Sequence, residues 1–100
     1  MIDLEEAVME IIVNAGQSRS LCFEALHAAR TGNIDEARLL LNEADGYARR
    51  AHQMQTQLIE QDAGEARQPM TLIMVHAQDH LMNSLLAREF SEELIHLYQR

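Results

Sequence analysis

Four polar side chains interrupt a strongly apolar stretch in the last third of the chain. Within "TLIMVHAQDHLMNSLL", Asp79 and His80 are adjacent, and each lies three or four residues from both His76 and Asn83. At about 100° per residue, all four fall on one face of a helix, within about 100° of one another. Two imidazoles and a carboxylate therefore interrupt a surface on which burying polar groups is costly.

This pattern is compatible with two kinds of chemistry and with a purely structural role. Histidines at positions i and i+4, with an aspartate at i+3, can converge on one metal ion. An imidazole is also a good nucleophile at neutral pH, and it can carry a phosphoryl group whose oxygens neighbouring donors stabilise. Alternatively, the four groups are hydrogen-bonded core residues that fix the register of the helix. The spacing alone leaves all three interpretations open.

The helix that must position these residues is apolar around most of its circumference. Its other faces carry Met74, Val75, Leu81, Met82 and Leu85. A helix that is apolar nearly all round is expected to be buried nearly all round, which a chain of 100 residues cannot achieve alone. We therefore expect a homo-oligomer in which copies of the third helix pack together at the centre.

Periodic apolar residues predict an all-α fold in a single domain spanning residues 1–100. The three predicted helices cover approximately residues 3–30, 34–61 and 69–98. Because short connections make neighbouring helices antiparallel, the protomer is predicted to be an up-down-up three-helix bundle.

Local signals mark the ends of these helices. Gly32 fits a position just beyond the end of the first helix, and Asn33 with Glu36 resembles a capping box for the second. The segment "DAGEARQ" is the expected loop between the second and third helices. Pro69 is expected as the first residue of the third helix, where its missing N–H costs nothing.

Composition excludes several classes of function. Sixteen acidic residues against eight basic ones give a formal charge of −8, and a surface of that sign repels nucleic acid. The single cysteine, Cys22, cannot form an internal disulfide and suits a reducing cytoplasm. Acidic residues near the N-terminus predict that there is no signal peptide. The polar residues within the apolar stretch also argue against a membrane-spanning helix.

Three segments of the chain resemble one known family in the same order. They are "IIVNAGQSRSLCFEAL", "QTQLIEQDAGEA" and "TLIMVHAQDHLMNSLLAREFSEELIHLY". The last closely resembles the active-site helix of the lactose/cellobiose-type enzyme IIA of the bacterial phosphoenolpyruvate:sugar phosphotransferase system. The resemblance is strongest to the N,N′-diacetylchitobiose/cellobiose branch, covers essentially the whole chain and is most specific at "VHAQDHLM".

This resemblance implies a homotrimer with parallel third helices at its centre and a phosphocarrier cycle. His76 matches the family's active histidine, which accepts a phosphoryl group on Nε2 (the tele position) from the general carrier HPr. The group then passes to a cysteine of the sugar-specific IIB component, which serves disaccharide uptake. Asp79 matches the family's metal-binding aspartate near the threefold axis, where Mg²⁺ or a similar divalent cation would offset the repulsion of three carboxylates.

Two interpretations of the whole protein remain at this stage. The first is a cytoplasmic phosphocarrier phosphorylated on His76, in which His80 either supports the added charge or is only structural. The alternative is a structural helical oligomer with an HxxDH metal site and no phosphoryl transfer. In neither interpretation does the chain insert into a membrane or bind nucleic acid.

Overall fold

The fold is a single rod-like bundle of three helices. A computed structural model describes residues 3–65 and 67–100, with α1 over Leu4–Arg30, α2 over Ile34–Ala63 and α3 over Leu72–Tyr98. The principal-axis extents are 51 × 18 × 18 Å. The predicted all-α, up-down-up arrangement is confirmed, and α1 and α3 are therefore parallel. Met1, Ile2 and Ala66, which belong to the predicted domain, lie outside the described residues.

The turn between α1 and α2 follows the capping predicted from the sequence. Gly32 has φ of +91°, a left-handed conformation that glycine adopts without steric cost. Its N–H donates to the Ala29 carbonyl at 3.0 Å, and the N–H of Asn33 donates to the Ala28 carbonyl at 2.8 Å. These two bonds form a Schellman motif, which satisfies carbonyls at the end of α1. The Asn33 side chain then accepts a hydrogen bond from the Glu36 N–H and caps α2.

The start of α3 differs from the prediction. Pro69 is not the first helical residue, because α3 begins at Leu72. Thr71 adopts an extended conformation, and its hydroxyl accepts a hydrogen bond from the Met74 N–H at 3.2 Å. A threonine side chain at the helix start accepts a hydrogen bond from a backbone N–H that would otherwise have no partner. A proline at the same end has no N–H and so only reduces the number of unpaired donors by one. The capping residue therefore sets the boundary.

Two smaller differences concern the other helix ends. Asp3 was assigned to α1, but it is the N-cap, and its side chain accepts from the Glu5 N–H. α2 continues beyond the predicted end at residue 61 and finishes at Ala63, before Gly64. The predicted loop "DAGEARQ" is correspondingly shorter at its start, and its Ala66 lies outside the described residues.

The core of the protomer is built mainly from small residues. Two clusters of buried side chains occupy the two ends of the bundle, one around Ile11 and Leu81 and the other around Leu41 and Ile95. Nine alanines are among the buried residues, so the helices can approach closely. Cys22 is fully buried in the second cluster.

Ion pairs connect α2 to α3 in addition to this core. Arg88 donates from Nε to Oδ1 of Asp45 at 2.7 Å and from a terminal nitrogen to Oδ2 at 3.1 Å. It also pairs with Glu92 at 3.2 Å, one turn along α3. Arg38 of α2 binds the other oxygen of Glu92. Two-pronged arginine–carboxylate contacts of this kind fix geometry better than single ones, so they help to set the register of α3 against α2.

Many large apolar side chains remain on the surface of the protomer. One set lies along α3 and is called here the exposed stripe. Its members are between 47% and 86% exposed: Leu72, Val75, Met82, Leu86, Phe90 and Leu97. At about 100° per residue they fall within about 80° of one another on the helix.

No helix in the described ranges combines the length and the apolar character needed to cross a membrane.

Candidate functional site

The four polar residues singled out in the sequence meet at one place. His76, Asp79, His80 and Asn83 line a shallow depression of about 230 Å³ on the surface of the bundle. The N-terminal cap at Thr71 fixes the start of α3 just before them. Their helical spacing then presents all four side chains to the same depression.

The two histidines differ in their surroundings. The His76 ring is exposed, and neither of its nitrogens has a hydrogen-bond partner among residues 3–65 and 67–100. His80 is partly buried against α1, where a Cβ on Gly16 would lie 3.8 Å from its Nε2 and Cε1 atoms. The two ring centroids are 5.8 Å apart, with planes inclined by 66°. His76 therefore offers a nucleophilic nitrogen to the solvent, while His80 is held beside it.

Asp79 occupies the middle of the exposed stripe. Its carboxylate is exposed and accepts a hydrogen bond from the Asn83 amide at 3.3 Å. At about 100° per residue, Asp79 lies near the angular centre of the apolar side chains, whereas His76 lies at their edge. If protein covers this apolar surface, the Asp79 charge loses its contact with water, and this desolvation has an unfavourable free energy.

The described residues do not form a metal chelate within one protomer. No three of their His, Cys, Asp or Glu side chains lie close enough together to hold an ion. The HxxDH site considered from the sequence is therefore not assembled from His76, Asp79 and His80 in this fold. The carboxylate of Asp79 is nevertheless a suitable ligand type for Mg²⁺, provided that further oxygen ligands come from elsewhere.

One residue of the depression was missed by the sequence analysis. Arg19 of α1 lines it together with the α3 residues. The available signal was the segment "GQSRS", in which Gly16 and Arg19 lie one helical turn apart. Because α1 and α3 are parallel, a close approach at Gly16 brings the next turn of α1 beside the next turn of α3.

The cysteine does not take part in this site. Burial raises the pKa of the Cys22 thiol, and the Arg88 charge and a hydrogen bond with Ser91 offset the effect only in part. The thiol is therefore uncharged at neutral pH and is a poor nucleophile. Cys22 is therefore a core residue and not part of the transfer site.

The geometry suits group transfer between proteins better than the binding of a small substrate. The depression is shallow and open, whereas small-molecule sites usually enclose most of their ligand. Its lining consists of two imidazoles, an amide, a guanidinium and the carboxylate of Asp79, which the Asn83 amide binds. The imidazoles can accept a phosphoryl group on nitrogen, and the amide and guanidinium can donate hydrogen bonds to its oxygens.

Comparison with known sequences gives a family match over most of the chain. Residues 6–99 match the family described as "PTS system, Lactose/Cellobiose specific IIA subunit". The N,N′-diacetylchitobiose-specific EIIA component of Escherichia coli is 47% identical over 98 residues, which cover 98% of this chain and 84% of that protein. The lichenan-specific enzyme IIA component of Bacillus subtilis is 42% identical, with 98% and 89% covered.

Solved structures agree with this match. The cellobiose-specific enzyme IIA of Bacillus anthracis superposes with a TM-score of 0.93 at 35% identity, covering 99% of this chain and 92% of that one. The IIA(Chitobiose) chain of the Escherichia coli complex with HPr gives a TM-score of 0.85 at 45% identity, with 99% and 96% covered. The chain therefore belongs to the lactose/cellobiose-specific IIA family, the carrier components of the phosphoenolpyruvate:sugar phosphotransferase system.

Proposed function

We propose that this carrier takes up its phosphoryl group on Nε2 of His76. The observation that supports this most directly is the state of His76, which is exposed, lacks a hydrogen-bond partner in the described part of the chain and lines a depression with other donors. An imidazole needs a free lone pair to attack phosphorus, and a ring whose nitrogens are unengaged within the protomer has one available in its neutral form.

The transfer step exchanges one nitrogen–phosphorus bond for another. Nε2 of neutral His76 attacks the phosphorus of a phosphohistidine on the donor, and the electron pair of the breaking bond stays on the donor nitrogen. The donor ring takes up one proton, and the His76 ring gives up its Nδ1 proton, so both rings end neutral. No water or redox partner enters the reaction. Asn83 and His80 line the same depression and can donate hydrogen bonds to the phosphoryl oxygens, on which the negative charge is spread.

The partners are proposed from the relatives. HPr is the proposed donor, because the structurally similar IIA(Chitobiose) of Escherichia coli forms a complex with HPr. A cysteine of a IIB component is the proposed acceptor. A β-linked disaccharide of the chitobiose or cellobiose type is the proposed cargo of the system, following the names of the similar proteins. The open shape of the depression suits contact with a protein partner.

We further propose a homotrimer in which the exposed stripe of α3 faces the threefold axis. Six large apolar side chains on one helix face form a patch of the kind that marks an interface. Asp79, at the middle of the stripe, would then meet its two copies, and Mg²⁺ or a similar cation held by these carboxylates would reduce their repulsion. His76 at the edge of the stripe would remain accessible to partners.

A cytoplasmic location is proposed with this function. The single Cys22 is a free, buried thiol, and proteins with this cysteine usage suit a reducing compartment.

Phosphorylation by a reconstituted relay tests the proposal. The chain is incubated with phosphoenolpyruvate, enzyme I and HPr, and the expected product carries one acid-labile, base-stable phosphoryl group per chain. His76→Gln should abolish the label. His52→Gln is the matched control, because His52 is an exposed histidine of α2 outside the depression, and it should be labelled like the wild type. A wild-type chain that stays unlabelled beside an active relay would instead support the structural oligomer without transfer.

A further inference from the structure

Arg19 is a cation in the depression that lies on a different helix from the histidines. Of the five residues that line the depression, it has the only permanent positive charge. The chain as a whole has a formal charge of −8, so its average field opposes the approach of a phosphoryl group. A local cation is therefore more significant here than it would be on a basic surface.

The packing of α1 on α3 explains how Arg19 reaches the histidines. Gly16 lies against the His80 ring, with no side chain of its own between the two helices. Arg19 follows one turn later on α1, and α1 runs parallel to α3. Because helical side chains tilt toward the N-terminus of their helix, the Arg19 side chain leans back toward the level of His76 and His80.

The charge of Arg19 is not neutralised by a carboxylate within residues 3–65 and 67–100. The ion pairs found there involve Arg38, Arg88 and His96, and Asp79 accepts its hydrogen bond from Asn83. The Arg19 guanidinium carbon instead lies 5.1 Å from the centroid of the Phe23 ring. A cation held over an aromatic face keeps its N–H donors available for another ligand.

We infer that Arg19 binds the phosphoryl group carried by His76 and stabilises it during transfer. This inference rests on the proposed phosphorylation of His76. A guanidinium has planar donors that match two phosphoryl oxygens at once, and such charge-assisted bonds are about twice as strong as neutral ones. As the bond from Nε2 of His76 to phosphorus forms and the donor's bond breaks, negative charge is spread over three oxygens, and Arg19 is placed to offset it.

Substitution of Arg19 tests the inference in the reconstituted relay. Arg19→Gln removes the positive charge. Arg19→Lys keeps the charge but lacks the paired planar donors of the guanidinium. Arg50→Gln is the matched control. Arg50 also lies over an aromatic ring, at 4.9 Å from the Tyr47 centroid, but outside the depression. The rate of phosphorylation by phospho-HPr should fall by about 10²- to 10³-fold in Arg19→Gln, as when one donor to a developing oxyanion is removed. Arg19→Lys should recover part of this rate, and Arg50→Gln should match the wild type.

A second measurement separates binding of the phosphoryl group from a structural role. Phosphorus NMR follows the pH titration of the phosphohistidine, whose dianionic form a nearby cation favours. The phosphoryl pKa should be higher in Arg19→Gln than in the wild type and should be unchanged in Arg50→Gln. Circular dichroism melting curves check that the variants fold, which is expected because Arg19 is exposed.

The outcomes distinguish this inference from the proposed function. If the wild type is phosphorylated and Arg19→Gln shows the same transfer rate and the same phosphoryl pKa, Arg19 has no role and only the inference fails. If the wild type is not phosphorylated by an active relay, the proposed function fails and the inference fails with it. A lower rate with an unchanged phosphoryl pKa would also overturn the inference, because it would indicate a docking contact.

Discussion

Truncation of Leu86 should weaken the proposed trimer by an amount that the structure allows us to estimate. Leu86 belongs to the exposed stripe and is 51% exposed in the protomer. Full burial of a leucine is worth about 1.5–3 kcal/mol, so burying the exposed half gains about 1 kcal/mol per chain and about 3 kcal/mol per trimer. Leu86→Ala loses most of this free energy of association. The resulting change in the association constant is about 100-fold, since about 1.4 kcal/mol corresponds to a factor of ten.

Sedimentation velocity over a range of protein concentrations measures this effect. Because three chains associate, the midpoint concentration varies as the inverse square root of the association constant and should rise about tenfold in Leu86→Ala. Leu39→Ala is the matched control, since Leu39 is 65% exposed but lies on α2, outside the exposed stripe. Equal midpoints for Leu86→Ala and the wild type would refute the placement of this face at the axis, as would an equal shift in Leu39→Ala.

Two further predictions concern charged groups. Asp79→Leu should remain trimeric after chelation of divalent cations, because the substitution removes three carboxylates from the proposed axis. The wild type should lose trimer under the same treatment. If Asp79→Leu is monomeric at concentrations where the wild type is trimeric, the repulsion argument is refuted. The hydrogen bond from Arg38, reinforced by Arg88, lowers the pKa of the Glu92 carboxyl. The stabilisation from Glu92 is therefore complete above the pKa of an unfolded glutamate and is lost as the pH falls through the lowered value. Urea unfolding of Glu92→Gln should accordingly show a weaker loss of stability on acidification than the wild type, and identical pH profiles would contradict this assignment.

Features set by neighbouring residues were predictable from the sequence. The turn at Gly32 and the cap at Asn33 depend on local backbone conformation and on bonds between residues a few positions apart. Pro69 was assigned wrongly for a related reason, since two local signals compete at the start of α3. The Thr71 hydroxyl provides a hydrogen bond there, and a rule based on proline alone does not include it.

The contribution of α1 to the site was not predictable in the same way. His76, Asp79 and His80 share a face because of helical periodicity, which the sequence displays directly. Arg19 joins them only through the packing of α1 against α3, and that register is set by the close approach at Gly16. Periodicity within one helix contains no information about which turn of another helix lies beside it.

The ionic contacts between α2 and α3 were missed for the same reason. Asp45 and Arg88 are far apart in the sequence, and nothing near either residue indicates its partner. Conversely, the all-round apolar character of α3 did predict that the protomer would leave large side chains exposed. The fold places the small residues inside and leaves much of the apolar bulk of α3 on the surface.

Direct identification of the phosphorylated atom is the measurement that tests the central claim. The chain, labelled with nitrogen-15 in its histidines, is phosphorylated through enzyme I and HPr and examined by NMR for nitrogen–phosphorus coupling. The claim predicts one coupled nitrogen per chain, Nε2 of His76, and its disappearance in His76→Gln. Coupling to a nitrogen of His80, to Nδ1 of His76, or to no histidine at all would contradict it.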